Sequence, residues 1–387
     1  MPDRPPSHPR KFASVESPRR ILVRGVNWLG DAVMTTPALQ RLRERFPAAH
    51  LALLTHEKLA GLWRAHPGLD AVLTFSPHRS LWEVVRRLRV EQFELALILP
   101  NSPRAALESW LAGIPQRVGY ARAWRSWLLT DAVPARPGRV RMRKRSPREI
   151  RRLVAAGTHD APQAPRTPER AAHQVYEYLH LASAVGANPQ PLPPFLEAGP
   201  EELESVRVKF DLKTFESTGR PLLGLNPGAE YGPAKRWPVM HFVEAAQRIQ
   251  ERTGCGWLLL GGPPDVPLAG KLEAMLRTPG SALFNLCGRT SLPELMAALK
   301  LCRALLTNDT GPMHVAAALG TPVVVPFGST SPELTGPGLP GDPRHRLLKS
   351  AAPCSPCFRR SCPIDVRCMT GITVERVVEA MLELLRW

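Results

Sequence analysis

The apolar positions of the chain form short runs that alternate with amphipathic stretches. In the first half these runs lie at 21–24 (ILVR), 50–56 (HLALLTH), 71–75 (AVLTF) and 93–100 (FELALILP), and a helical pattern covers 31–46. Continuous apolar runs of this length are typical of strands buried in a parallel sheet. Strands that alternate with helices predict a doubly wound α/β domain.

The same alternation starts again after a proline-rich connection, GANPQPLPPF, at residues 186–195. Further strands are predicted at 221–228, 256–262, 304–309 and 323–328. We therefore predict an α/β protein of two Rossmann-like, doubly wound domains. The predicted domains are residues 21–190 and 196–387, preceded by a disordered, proline- and arginine-rich tail at 1–20. Ligands of such sheets bind beyond the carboxyl ends of the strands, where the functional residues are expected.

Composition narrows the classes of partner. The chain of 387 residues has a net charge of +17. It contains no apolar run near the roughly 18 residues that span a bilayer, and the first 20 residues lack the apolar core of a signal peptide. We expect a cytoplasmic protein, with the excess positive charge directed at an anionic partner.

A basic segment at residues 136–152 (RPGRVRMRKRSPREIRR) carries nine Arg or Lys and one acid, Glu149. Such a segment is either a solvated loop or a site for an anionic membrane surface or nucleic acid. No aromatic residues interleave with the charges, as a single-strand nucleic-acid site would need. The sequence therefore favours a membrane surface over nucleic acid.

The turn after the first predicted strand, RGVNWLGDAV (24–33), carries a carboxylate where a phosphate-binding turn carries lysine. Gly25 and Gly30 have P-loop spacing, but Asp31 and Ala32 follow them in place of Lys and Ser or Thr. One interpretation of Asp31 is that it caps the helix that follows.

Two loops of the second half carry groups suited to an anion. The stretch 226–238 (NPGAEYGPAKRWP) brings Lys235 and Arg236 after a strand, and two cations suit a diphosphate unless they form only a basic turn. The stretch 307–320 (TNDTGPMHVAAALG) begins a helix at Gly311, where free N–H groups form an anion site.

Two further residues of that helix start have two interpretations each. Asp309 either accepts hydrogen bonds from sugar hydroxyls or caps the helix. His314 either lines the ligand or packs as an ordinary helix residue.

Four of the seven cysteines cluster near the end of the chain, as Cys354, Cys357, Cys362 and Cys368. Four thiolates suit zinc, but the second C-x2-C pair of a zinc ribbon is missing. We therefore expect no metal site there, with zinc as the alternative.

Together these stretches resemble the ADP-heptose:lipopolysaccharide heptosyltransferases, glycosyltransferase family 9. The matching segments are 26–39 (VNWLGDAVMTTPAL), 114–120 (IPQRVGY), 226–238, 308–337 (NDTGPMHVAAALGTPVVVPFGSTSPELTGP) and 354–363 (CSPCFRRSCP). NWLGD favours the type II members over type I. The stretch 136–170 resembles an insertion relative to the family.

The resemblance implies the GT-B fold, in which the two Rossmann-like domains face a central cleft. The first domain would bind the acceptor, the second would bind ADP-heptose, and the final helix (373–387) would pack back toward the first domain. The implied reaction is inverting transfer of L-glycero-D-manno-heptose from ADP-heptose to the inner core of lipopolysaccharide, with heptosyl-Kdo2-lipid A as acceptor. The implied location is the inner face of the cytoplasmic membrane.

The resemblance also implies roles for single residues. Asp31 would be the catalytic base, kept ionised by the helix start, and Lys235 would meet the donor diphosphate. The expected donor-site residues are Lys235, Asp309, Thr310, Gly311 and His314, and Asn27 and Gly30 are expected on the acceptor side. No cofactor is expected, because Lys235 and the helix start can offset the charge of the leaving group and the chain has no Asp-x-Asp pair for Mg²⁺.

Three alternatives remain. The first is a heptosyltransferase of the same family with a type I or III acceptor. The second is a nucleotide-sugar epimerase or dehydrogenase, which would need a G-x-G-x-x-G turn that residues 24–33 lack. The third is a non-catalytic protein that binds anionic lipid or nucleic acid, which only the charge suggests.

Overall fold

Twelve strands form in the part of the chain that the computed structural model describes, residues 17–76, 80–156, 170–277 and 281–386. The strands of the first half are β1 (Arg20–Arg24), β2 (His50–His56), β3 (Ala71–Phe75), β4 (Leu95–Ile98), β5 (Gln116–Tyr120) and β6 (Asp131–Val133). Those of the second half are β7 (Leu222–Asn226), β8 (Gly256–Leu259), β9 (Leu283–Asn285), β10 (Ala304–Thr307), β11 (Val323–Phe327) and β12 (Arg346–Lys349). Eight of them lie on the predicted apolar runs. The other four, β5, β6, β9 and β12, were not predicted, because they are short and all of them contain polar side chains.

The helices of the first half are α1 (Leu29–Met34), α2 (Thr36–Arg45), α3 (Leu81–Val90), α4 (Pro103–Leu111), α5 (Pro147–Ala155) and α6 (Val175–Ser183). Those of the second half are α7 (Pro200–Lys209), α8 (Lys213–Glu216), α9 (Val239–Thr253), α10 (Val266–Leu276), α11 (Leu292–Leu301), α12 (Gly311–Ala318), α13 (Pro332–Thr335), α14 (Arg367–Thr370) and α15 (Val374–Leu385). Short 3-10 turns occupy Glu57–Trp63, Ser126–Leu128, Arg170–Ala172, Pro233–Lys235 and Pro263–Asp265. None of the helices in the described ranges is long and apolar enough to cross a membrane.

The helix predicted at 31–46 is two helices in the structure. α1 ends at Met34 and α2 begins at Thr36, with Thr35 between them. Pro37 explains the break, because a proline in the second position of α2 has no N–H to continue the hydrogen bonds of α1.

Both sheets are parallel and have the same doubly wound strand order. The first is ordered β3-β2-β1-β4-β5-β6 and the second β12-β11-β10-β7-β8-β9. Every strand pair is parallel. The order reverses between β1 and β4 and again between β7 and β10, so each half has one switch point where ligands of this fold bind.

The two halves contact each other through α1 and α12. One buried core runs through this contact, with Ile21 and Leu39 from the first half and Leu305 and Val323 from the second. The proline-rich connection at 186–195 is tied to both halves at its end, since Phe195 donates its N–H to Thr36 Oγ1 (3.1 Å) and the next residue donates to Ala318.

The expectation for the final helix is wrong. α15 packs against α9 and the β10, β11 and β12 side of the second sheet, not toward the first domain. Its buried face, which includes Val377, Met381 and Leu384, joins Phe242 and Trp257 in a separate core of the second half. An amphipathic helix buries such an apolar stripe against the sheet face nearest to it.

The basic segment (136–152) is more than a solvated loop. Its last part forms α5, whose buried Ile150 packs with Cys354 and Cys357 of the second half. The backbone N–H of Arg145 also donates to the carbonyl of Cys357 at 3.0 Å. The segment therefore joins the first half to the cysteine-containing loop of the second.

Two predicted segments lie partly outside the described residues. They are the tail, of which 1–16 are outside, and the insertion, of which 157–169 are outside. The predicted tail ends too late, because Arg20 already pairs with His50 as the first residue of β1.

Candidate active site

The candidate site lies where the carboxyl ends of four strands meet. β1 leads into the turn that carries Asp31, and β4 leads into residues 99–102. In the second half, β7 leads into residues 227–235 and β10 into residues 308–311. Because α1 contacts α12, the two switch points face each other across the domain contact.

A cavity of about 450 Å³ opens at the first switch point. Polar side chains from distant parts of the chain line it, among them Asn27, Asp31, Asn101, Arg139, Gln174 and Tyr178. Leu334 of the second half also reaches its wall. A pocket with convergent hydroxyl, amide and charged groups suits a polar ligand such as a sugar.

Asp31 lies in the first turn of α1, at the wall of this cavity. It does not cap the helix, because Trp28 occupies the N-cap position and no side chain makes a capping hydrogen bond there. Gln174 Nε2 donates to Asp31 Oδ1 at 3.1 Å and also to the Tyr178 hydroxyl at 2.8 Å. The amide therefore fixes the orientation of the carboxyl group.

Burial raises the pKa of Asp31 to about 6, against the smaller lowering effects of the Gln174 hydrogen bond and the Lys235 charge. Loss of hydration thus outweighs the two effects that favour the ionised form. A carboxyl group with a pKa just below neutrality is ionised at pH 7 and still basic enough to accept a proton.

Lys235 and Asp309 form a buried ion pair at the second switch point. Lys235 Nζ lies 2.6 Å from Asp309 Oδ2, and the Thr330 hydroxyl donates to the same oxygen at 2.5 Å. Lys235 also lies over the ring of Tyr231, 4.9 Å from its centroid. Of the two cations predicted in this loop, only Lys235 takes part, since Arg236 is exposed.

The start of α12 completes this side of the site. Thr310 is its N-cap residue and Gly311 its first residue, so the backbone N–H groups there face the end of β10. Asp309 lies one residue earlier and is held by Lys235 and Thr330, so its interpretation as a helix cap is wrong.

Two glycines allow α1 and α12 to approach closely. A Cβ atom on Gly30 would lie 2.7 Å from His314 Cδ2, and one on Gly311 would lie 2.9 Å from Leu29 Cβ. Gly30, which was expected on the acceptor side, therefore makes room for the His314 ring. His314 is buried in this contact, and burial lowers its pKa to about 4, so the ring is neutral.

The structure brings the predicted residues together but also adds others. The side of the site formed by the first half contains Asn27, Gly30 and Asp31. The side formed by the second half contains Lys235, Asp309, Thr310, Gly311 and His314. Gln174 and Tyr178 were missed, because no motif or spacing relates them to Asp31, 143 residues away from Gln174 in the chain. Thr330 was also missed, although it belongs to the FGST stretch quoted above.

The four clustered cysteines lie outside the site and are all free thiols. In the described part of the chain, no three His, Cys, Asp or Glu side chains are arranged to hold a metal ion. Burial, followed by the neighbouring thiols, raises the pKa of Cys354, which opposes the thiolate form that zinc requires.

Known proteins are similar to this chain in sequence and in fold. The family model "Glycosyltransferase family 9 (heptosyltransferase)" matches residues 154–366. Lipopolysaccharide heptosyltransferase 2 of Escherichia coli is 31% identical over 326 residues, 82% of this chain and 85% of that protein. Lipooligosaccharide heptosyltransferase 2 of Haemophilus ducreyi is 30% identical over 82% of this chain and 86% of its own length.

Solved structures agree. The structure of E. coli ADP-heptose lipopolysaccharide heptosyltransferase II superimposes with a TM-score of 0.74 at 28% identity, covering 95% of this chain and 98% of that one. A family 9 glycosyl transferase from Veillonella parvula gives the same TM-score, 0.74, at 22% identity and 95% coverage of this chain, which supports the fold. The predicted GT-B fold is confirmed. This chain belongs to glycosyltransferase family 9, the heptosyltransferases, and is a glycosyltransferase.

Proposed function

We propose that the protein transfers L-glycero-D-manno-heptose from ADP-heptose to the lipid A-linked inner core of lipopolysaccharide, with inversion at the anomeric carbon. The relatives named above support the donor and the pathway. The observation that carries the proposal is the meeting of Asp31, at the wall of a polar cavity, with the Lys235–Asp309 pair across the domain contact. Lys235 is also near enough for its charge to lower the pKa of Asp31, which supports one site formed by both halves.

In this proposal the first half binds the acceptor and the second half binds the donor. The cavity beside Asp31 lies almost entirely on the first half and offers hydroxyl, amide and guanidinium groups to a sugar acid or a sugar phosphate. The loop carrying Lys235 and the start of α12 offer a cation and backbone N–H groups to a diphosphate.

The reaction is a single displacement. The acceptor hydroxyl oxygen attacks the anomeric carbon of the heptose as the bond from that carbon to the ADP oxygen breaks. Asp31 takes the hydroxyl proton, and Gln174 holds the carboxyl group in place through Oδ1. Lys235 and the helix start offset the negative charge that develops on ADP, so we propose that the step needs no metal ion or other cofactor.

The direct test is incubation with ADP-heptose and defined truncated lipopolysaccharide cores, followed by mass measurement. We expect one acceptor to gain the mass of a single heptose and to release ADP, with inverted anomeric configuration by NMR, in chelator as well as in Mg²⁺. No product with any inner-core acceptor would refute the proposal. The acceptor that reacts also distinguishes type II activity from types I and III.

We further propose that the protein works at the inner face of the cytoplasmic membrane, where a lipid-linked acceptor is exposed. The exposed face of α5 carries Arg148, Arg151 and Arg152, which make no ion pair within the described residues. Each basic side chain near an anionic bilayer contributes roughly 1 kcal/mol of attraction. Sedimentation with anionic and neutral vesicles at low and high salt tests this, and equal binding to both kinds of vesicle would contradict it.

A further inference from the structure

A loop of the first half holds tryptophan side chains in solvent beside the cavity. This aromatic loop, residues 121–127, follows β5 directly and so begins next to Tyr120, which lines the cavity. Trp124 is 87% exposed and Trp127 is 67% exposed, and both line one open hollow in the surface. Trp110 of α4 lies against Trp127, with ring centroids 5.8 Å apart. Neighbouring exposed indoles form a patch that marks an interaction surface.

The aromatic loop is held in a shape that keeps its indoles outward. The fully buried Arg125 donates through Nη1 to the carbonyl of Pro100 at 2.6 Å, and Ser126 Oγ donates to the carbonyl of Arg122 at 2.9 Å. Trp124 has a φ of +69°, a conformation that a bulky side chain rarely adopts. Backbone strain that keeps a large apolar side chain in water points to a function at that residue.

Positive charge surrounds the same edge of the first half. β5 and β6 are neighbouring parallel strands, so the aromatic loop and the basic segment both leave from their carboxyl ends. Within the described residues, Arg122 of the aromatic loop and Arg141 at the cavity wall make no ion pair. The basic segment also exposes Val140 and Met142 at that wall. The surface is therefore both apolar and cationic.

We propose that the aromatic loop and Trp110 form a docking surface for an anionic lipid bilayer. The indoles of Trp124 and Trp127 insert at the level of the headgroups, where tryptophan is preferred, and the surrounding basic side chains contact lipid phosphates. A single-stranded nucleic acid fits less well, because it needs aromatic side chains spaced along a charged groove, and here they are clustered on one loop.

The position of this surface matters for the reaction, and this part rests on the proposed function. The aromatic loop starts at the wall of the cavity that would hold the acceptor sugar. A bilayer docked on the loop would bring the cavity to the headgroup surface, from which a lipid-linked oligosaccharide projects. Docking therefore raises the local concentration of the acceptor without contributing to the chemical step.

The test compares three variants of the full chain with the wild type: Trp124→Ala, Trp124→Ala/Trp127→Ala, and the control Met275→Ala, which removes an exposed apolar side chain of α10 in the second half. Binding is measured by sedimentation with vesicles of phosphatidylethanolamine and phosphatidylglycerol and by quenching of tryptophan fluorescence with brominated lipid. We expect the double variant to bind these vesicles at least about tenfold more weakly, the single variant to fall between, and the control to match the wild type. Because Trp124 has no ring partner among the described residues, its removal leaves the fold intact.

Two further measurements separate the possible results. Transfer to a soluble, delipidated core should be unchanged in the tryptophan variants, while transfer to the same core on vesicle-embedded lipid should fall. Absence of transfer in the wild type would contradict the proposed function, and the vesicle data would still decide the docking surface. Unchanged vesicle binding by the double variant, an equal loss in Met275→Ala, or loss of polyuridylate binding in place of vesicle binding would overturn the docking proposal.

Discussion

Asp31 combines a position at the cavity wall with a pKa raised to about 6 by burial. Asp31→Asn keeps the size and the Gln174 contact but cannot accept a proton. We expect kcat to fall by at least roughly 10²-fold, with ADP-heptose binding near normal. Turnover of the variant relative to the wild type checks the first part. Isothermal calorimetry of both proteins with ADP checks the second. Wild-type turnover in Asp31→Asn would place the base elsewhere.

The raised pKa of Asp31 also sets two pH effects of opposite sign. Activity should fall as the pH drops below about 6, because the base becomes protonated. The folded state, in contrast, holds this proton more tightly than the unfolded chain, so Asp31 lowers stability as the pH rises from about 4 to 6. Asp31→Asn should therefore be at least as stable as the wild type at pH 7. The gain in the free energy of unfolding is at most about 3 kcal/mol, and smaller because the carboxyl is partly open to solvent. The melting temperature of the variant should be equal to or higher than that of the wild type. A melting temperature well below that of the wild type would show that the carboxylate is structural.

Lys235 is expected to stabilise the departing diphosphate. Lys235→Ala should lower kcat/KM for ADP-heptose by about 10²-fold, whereas the neighbouring, exposed Arg236→Ala should leave it nearly unchanged. Lys235→Ala also leaves Asp309 buried without its counter-ion, which destabilises the fold. The double variant Lys235→Ala/Asp309→Asn should recover stability but not turnover. An unaltered kcat/KM in Lys235→Ala would remove this lysine from the site.

At this scale the predicted residues lie in loops and turns that follow strands, at the ligand edge of a sheet. The roles of Asp31, Lys235 and Asp309 came from the family resemblance of those loops, whereas the polar Thr330 of the same stretches received no role. Gln174 was not predicted, because its place beside Asp31 depends on how α6 packs on α2. The raised pKa of Asp31 was not predicted for the same reason, since burial is a tertiary property.

Among the elements, the contact of α1 with α12 decides the geometry of the site. Gly311→Ala would place a methyl group within 3 Å of Leu29, so one helix must move. We expect a loss of about 1–3 kcal/mol in the free energy of unfolding and a lower kcat/KM. Gly270→Ala in α10 is the matched control, since its Cβ would meet open space, and it should stabilise by about 0.5–1 kcal/mol. Equal stability of the two variants would show that the helices do not depend on this close approach.

The elements themselves were largely predictable, because buried parallel strands are nearly all apolar. Their ends were less so: Pro37 divides a helix that its apolar periodicity made continuous. The packing of α15 was also misplaced. Its amphipathic stripe shows that one face is buried, but periodicity does not specify which sheet covers it.

Across the whole molecule, the two halves are two copies of one strand order with their switch points facing. If the second half binds the donor, ADP should slow hydrogen exchange at residues 226–238 and 307–316, where backbone N–H groups meet phosphate. Hydrogen exchange at residues 21–40, which contain most of β1, all of α1 and the start of α2, should change less. Exchange measured by mass spectrometry with and without ADP checks this, and protection confined to 21–40 would reverse the assignment of the halves.

Two domains and their parallel sheets followed from the pattern of the chain, whereas the contacts between the halves did not. The path of the basic segment across to Cys354 and Cys357 is set by burial of Ile150, with Val154 packed against the same cluster. This apolar face of α5 shows which residues are buried but not which part of the second half covers them.

The ion pair of Lys235 with Asp309 affects which anions the free enzyme can bind. Its lysine is already neutralised from within, so an incoming anion has to compete with a fixed carboxylate at 2.6 Å. Inorganic phosphate or a carboxylate metabolite would make little contact with Lys235 that Asp309 does not already make. A diphosphate reaches the start of α12 as well and gains contacts that Asp309 lacks. If the second half binds the donor, the internal counter-ion favours a nucleotide sugar over simpler anions.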